Sequence, residues 1–237
     1  MILRSRILTA ALLLASSVFA GEMPFPQPEN GAVHLLAKNS PYILEQSVVL
    51  SAADTFDVEP GVTVLMGEYA KLMLRGPVNI RGTAENPVVF RGADSSESWN
   101  GIHFVSSEKT FEVRNLQVEN AFRNSVFRSR GIFENVKFVN NYYGLWVEEV
   151  SELFLVNCEF SRNRYALSLR ATKVMANNTT VSNNVYGLYL EAQAEYKGDM
   201  ALVSNNLESD VRNESDELSK KNKRVNRNIW HRVETRF

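Results

Sequence analysis

Apolar residues alternate with polar ones in short runs along the second half of the chain, and the runs recur at a fixed interval. Asn135-Val-Lys-Phe138, Asn157-Cys-Glu-Phe160 and Asn178-Thr-Thr-Val181 begin 22 and 21 residues apart, and Asn115-Leu-Gln-Val118 stands 20 residues before the first. A polar, asparagine-rich turn follows each run, and a second alternating run follows the turn: Gly144-Leu-Trp-Val147, Ala166-Leu-Ser-Leu169 and Gly187-Leu-Tyr-Leu190. Period-two alternation predicts strands, so each repeat reads strand, turn, strand, turn. A unit of about 21 residues is too short to close a core of its own and must stack on its neighbours. The expected fold is therefore all-β, a parallel β-helix solenoid with rungs of about 21 residues. The leucine spacing and helical segment of a leucine-rich repeat are missing.

Stacking turns sequence positions into columns. Counting from Phe138, Phe160, Val181 and Val203, the residues two earlier are Val136, Cys158, Thr179 and Ala201, expected to point inward. Three residues later come Asn141, Asn163, Asn184 and Asn206, expected to form an asparagine ladder whose members adopt the left-handed turn conformation. Five later are Tyr143, Tyr165 and Tyr186, a tyrosine stack at the turn. Columns seven and nine, Leu145, Leu167, Leu188 and Val147, Leu169, Leu190, are core positions. Column eight, Trp146, Ser168 and Tyr189, must then face out, and column ten, Glu148, Arg170 and Glu191, faces out by the same parity. These six residues form the candidate carbohydrate-binding strip, because large aromatics and charges combine there in register. Aromatic faces two rungs apart would sit ~9.6 Å from one another, near the length of two sugar units. The competing expectation is that both rings pack beneath the Glu191–Gly198 segment or a partner subunit.

The N-terminal half is less regular. Ser40-Pro-Tyr-Ile-Leu, Glu59-Pro-Gly-Val62, Gly82-Thr-Ala-Glu-Asn-Pro87 and Trp99-Asn-Gly-Ile102 together resemble the opening rungs of secreted bacterial right-handed parallel β-helix proteins, the pectate-lyase-like superfamily. Asn100 stands where glycine is usual. The resemblance spans roughly residues 40–211 and implies the fold; it leaves activity open, since that superfamily holds lyases, hydrolases, isomerases and non-catalytic surface proteins.

Composition narrows the function. Of 237 residues, 26 are basic and 27 acidic, so the net charge of −1 argues against a nucleic-acid partner. The single cysteine, Cys158, excludes an internal disulfide, and His34, His103 and His231 are too dispersed for a local ligand pair. No cofactor or metal is expected. Arg4 and Arg6, the apolar run from Ile7 to Leu14, and Val18 and Ala20 before Gly21 describe a signal peptide over residues 1–20, too short to span a bilayer. The remaining domains are a lead-in over 21–39, the β-helix over 40–211 and a basic tail over 212–237, the last either a linker or a cap. The tail holds eight basic and four acidic residues, while residues 21–211 carry 16 basic against 23 acidic, a net of −7. Ile229, His231, Val233, Thr235 and Phe237 alternate as a capping strand would.

A pectate-lyase-like mechanism would centre on Arg170 between Glu148 and Glu191. Those carboxylates lie two rungs apart, too far to share one cation. The expected function is an exported, non-catalytic β-helix of a bacterial periplasm, cell surface or exterior that binds polysaccharide weakly or serves structurally. The alternative is a lyase or hydrolase acting on an acidic polysaccharide.

Overall fold

The computed structural model describes residues 21–94, 99–149 and 152–214. The leader over 1–20 and the alternating run from Ile229 to Phe237 lie outside the described residues, as does part of the Gly92–Ser98 segment. The chain coils into three parallel sheets of nine, eight and eight strands, in which each strand pairs with its counterpart one rung away. One rung shows the plan. Lys137–Val139 lies in the first sheet, Tyr143–Glu148 in the second and Glu152–Val156 in the third, and Glu159–Ser161 then returns to the first. Register partners in the first sheet are 19 to 28 residues apart, and the two longest rungs, at 26 and 28, lie in the N-terminal half. Among the described residues, stacking begins with Met23–Pro24 and Ala32–Leu35, before Ser40, and runs to Ser209–Asn213, just past Val211.

The third sheet corrects the two-strand repeat. Arg130–Glu134, Glu152–Val156, Lys173–Asn177 and Glu195–Lys197 stack there, so residues 191–198 complete a rung and do not form an inserted loop. Left-handed residues mark the corners, singly except where Ala192 and Gln193 follow one another. Asn115, Asn135, Asn157 and Asn178 turn the chain from the third sheet to the first, at φ between 46° and 55°. Asn120, Asn140, Arg162, Asn183 and Asn205 turn it from first to second. Asparagine suits these corners because its short amide tolerates positive φ. The second-to-third corner uses Ser106, Arg128, Glu149, Ala171 and Ala192, which share no side-chain chemistry.

The asparagine ladder forms, but its members are not the left-handed residues; those stand one position earlier. Each Nδ2 donates to the next Oδ1, Asn141 to Asn163 (3.0 Å), Asn163 to Asn184 (3.0 Å) and Asn184 to Asn206 (2.9 Å). Each Oδ1 also accepts a backbone N–H from the preceding rung, as Asn163 does from Asn141 (2.9 Å). Asp210 closes the series by accepting from Asn206 Nδ2 (2.8 Å). The ladder satisfies backbone groups that a buried corner would otherwise strand.

Inside the coil, Leu145, Leu167, Leu188, Val147 and Leu169 are buried, with Phe138 stacked on Phe160 at 5.0 Å. One inward position fails. Ala201 is exposed because it sits in the short 3-10 turn Met200–Leu202. In the last rung Val211 pairs with Leu188, because one residue more separates it from Asn206 than separates Leu188 from Asn184. Cys158 is buried, its thiol donating to the Phe133 carbonyl (3.4 Å), and burial pushes it up to about 12. The folded protein should therefore resist alkylation at pH 8 and become labelled on unfolding, as a thiol-modification time course with and without denaturant would show. Rapid stoichiometric labelling of the native protein would contradict the inward placement.

Candidate functional site

The second sheet carries the strip on its outward face. Trp146 pairs with Ser168 and Ser168 with Tyr189, while Glu148 pairs with Arg170 and Arg170 with Glu191. The structure thus brings all six residues into two adjacent columns. Their exposure is uneven. Ser168 is only 2 % exposed, because the flanking indole and phenol, one rung to either side, overhang so small a side chain. Its hydroxyl has no hydrogen-bond partner among the described residues. Tyr189 is half-covered: the Arg212 guanidinium lies 5.5 Å from its ring centroid, and its hydroxyl donates to the Glu214 carboxylate. Burial and that carboxylate both raise the Tyr189 pKa. Arg170 bonds Glu148 (3.2 Å). Glu191 is raised by burial and by the Glu214 and Glu148 carboxylates, with Arg170 opposing them.

Trp146 is the strip residue with the most to offer. Its Nε1 donates to Glu148 Oε2 (3.2 Å), the Tyr143 ring meets it edge-on at 5.2 Å, and the Arg123 guanidinium lies 5.9 Å from its centroid. Beside it the tyrosine column is stacked as expected, Tyr143 on Tyr165 and Tyr165 on Tyr186, each at 4.9 Å. Phe122 and Tyr142 stack at 5.2 Å on the adjoining corner, both exposed.

Trp146 also closes one end of a groove that the six residues did not anticipate. The groove has a volume of about 360 Å³. Its floor is Met73, His103 and Ser125, which continue the Trp146 column toward the N-terminus. Lys71, Asn100, Phe122 and Arg123 stand on the corner side, and Val105, Phe127 and Glu148 on the other. Gly101 makes the corner wall possible. Its φ is +119°, and a Cβ there would come within 1.9 Å of the Arg123 carbonyl oxygen. A hydrogen bond joins His103 Nδ1 and Ser125 Oγ (2.8 Å). Burial, then the positive charges of Arg123 and Lys71, lower His103 to about 4. The imidazole is consequently neutral at pH 7 and too weak a base to activate a serine efficiently. The pair is suited to hydrogen bonding a ligand.

With the strands and corners in view, the family can be assigned. The family model for the right handed beta helix region matches residues 85–229. The chain belongs to this right-handed β-helix family. No curated protein and no solved structure matches it. Among the described residues of this β-helix, no three His, Cys, Asp or Glu side chains gather to hold a metal, and no helix is long and apolar enough to cross a membrane. The β-helix family fixes the scaffold, and function lies in the side chains that the scaffold presents.

Proposed function

We propose that this β-helix is an exported, non-catalytic module of the bacterial envelope or exterior that binds polysaccharide along the outward face of its second sheet, with Trp146 as the principal contact. The observation that carries this reading is the register of the strip: Trp146, Ser168 and Tyr189 lie on successive rungs of one outward column, with Glu148, Arg170 and Glu191 in the column beside them. A track of stacked rungs at ~4.8 Å offers a linear polymer repeated contacts of similar geometry. The Trp146 ring offers apolar area to a sugar face, and Glu148, Arg170 and Glu191 offer hydrogen bonds to hydroxyls. Tyr189 contributes through its edge, since Arg212 occupies a position over its ring. Export rests on the Arg4, Arg6 and Ile7–Leu14 pattern of the leader.

A glycan array, followed by affinity electrophoresis on each retained polymer, tests the reading. Trp146→Ala should weaken retention about tenfold, the equivalent of ~1.4 kcal/mol and within the range of one ring contact plus its buried area. Melting should change little, because the ring lies outside the core. Equal retention by variant and parent, or no polymer retained by the parent, would sink the proposal.

A further inference from the structure

The groove is amphipathic across its width, and that property belongs to no polymer track. Lys71 and Arg123 stand on one side; neither forms an ion pair with a described residue, and Arg123 rests against the Trp146 ring. Val105 and Phe127 stand on the other side, with Met73 in the floor between. Arg123 and Phe127 occupy the ends of one five-residue strand, so at ~3.3 Å per residue their stems are ~13 Å apart. Once both side chains are in place, that width suits a single ring. His103 spends Nδ1 on Ser125, leaving Nε2 for a ligand. Glu148, at the Trp146 end, is already held by Arg170 and the indole N–H. A sugar presents hydroxyls all round its rim and would set them against Phe127, Val105 and Met73. A purely apolar ligand would leave two cations desolvated without a partner.

We propose that the groove binds a small amphipathic carboxylate, an aromatic or branched-chain acid, with its carboxylate between Lys71 and Arg123 and its apolar body against Val105, Phe127 and Met73. The acid carries one negative charge to the cationic wall, and His103 and Ser125 supply the remaining hydrogen bonds. Clefts of this size with a few convergent polar groups are typical of small-molecule sites. A ligand of about a dozen non-hydrogen atoms would have a Kd on the order of 0.1–1 mM. This site stands independently of polymer binding, although Trp146 borders both.

Calorimetric titration of the full chain with 3-phenylpropionate, its primary amide, acetate and glucuronate tests the assignment. The expected result is saturable binding of 3-phenylpropionate, with the amide and acetate each at least tenfold weaker and glucuronate weaker still. Lys71→Met with Arg123→Gln should reduce binding at least tenfold. The comparison of acid with amide on the parent protein needs no variant to fold. Absence of saturable binding, an amide as good as the acid, or a double variant that binds as the parent does would overturn the proposal. Glucuronate binding as tightly as the phenyl acid would overturn the ligand class. Polymer retention, scored separately on the same preparations, shows whether failure lies with this site or with the polymer track.

Discussion

Leu167→Asp is expected to abolish cooperative folding of the central rungs. Leu167 is fully buried and sits in register between Leu145 and Leu188 in a closed apolar coil. Removing the isobutyl group alone costs about 2–5 kcal/mol. The carboxylate adds several more, because an unpaired buried charge has neither water nor a donor to compensate it. Together these reach the scale of a whole domain's stability, about 5–15 kcal/mol. A solenoid transmits stability only between adjacent rungs, so the damage should spread from the altered rung in both directions. Circular dichroism should show lost β signal, and limited proteolysis should cut around residues 140–190. Leu167→Ala, which creates a cavity without a charge, should remain folded with a lowered melting temperature. An aspartate variant that melts like the parent would contradict the inward column.

The second large effect is acid destabilisation through His103. Its folded pKa, lowered to about 4, lies below the ordinary value of 6.5. The unfolded chain therefore binds the proton more readily. The associated stability is fully present above pH 6.5 and is lost as pH falls from there through 4. Over that window the loss amounts to about 3 kcal/mol. The groups responsible are the burial itself, then Arg123 and Lys71, with Ser125 as hydrogen-bond partner. Urea titrations at pH 7.5 and pH 4, on the parent and on His103→Gln, isolate this contribution from that of the carboxylates. The variant should lose about 3 kcal/mol less than the parent on acidification. Identical losses would mean that His103 is not held neutral in the groove floor.

Much of the coil is legible in the sequence for one physical reason: asparagine marks two of its three corners. Asn135, Asn157 and Asn178 at one corner and the Asn141, Asn163, Asn184 ladder beside the next give the repeat its period and its phase. The third corner needs a left-handed residue but imposes no side chain, and Arg128, Glu149, Ala171 and Ala192 fill it. Without a recurring residue to announce it, the third strand stays hidden and residues 191–198 look like an insertion. The alternation inside Leu145-Trp-Val147 does place Trp146, Ser168 and Tyr189 on one outward column. It does not report that a serine between two large rings is sealed from solvent.

The groove escapes the pattern through a slip of register. Between Arg123 and Ser125 the pairing with the next rung shifts, so that Trp146 stands beside Ser125. Counting eight residues on from Val118 reaches Val126, a core position, and the outward column is lost there. A count taken backward from Trp146 in steps of 21 and 22 would have reached Ser125 and His103. The shift in the final rung has the same origin, one residue gained between Asn206 and Val211. Side-chain parity in a strand reverses with every single-residue slip, so columns are secure only within runs of equal rung length.

The most direct test of the functional account is hydroxyl-radical footprinting of the protein with and without a polymer retained on the array. Protection is expected at Trp146, Tyr143 and Tyr189, all on the outward face of the second sheet. Phe154, exposed on the outward face of the third sheet, should react equally in both samples. Protection of Phe154 with Trp146 unchanged would place the polymer on the wrong face and contradict the account.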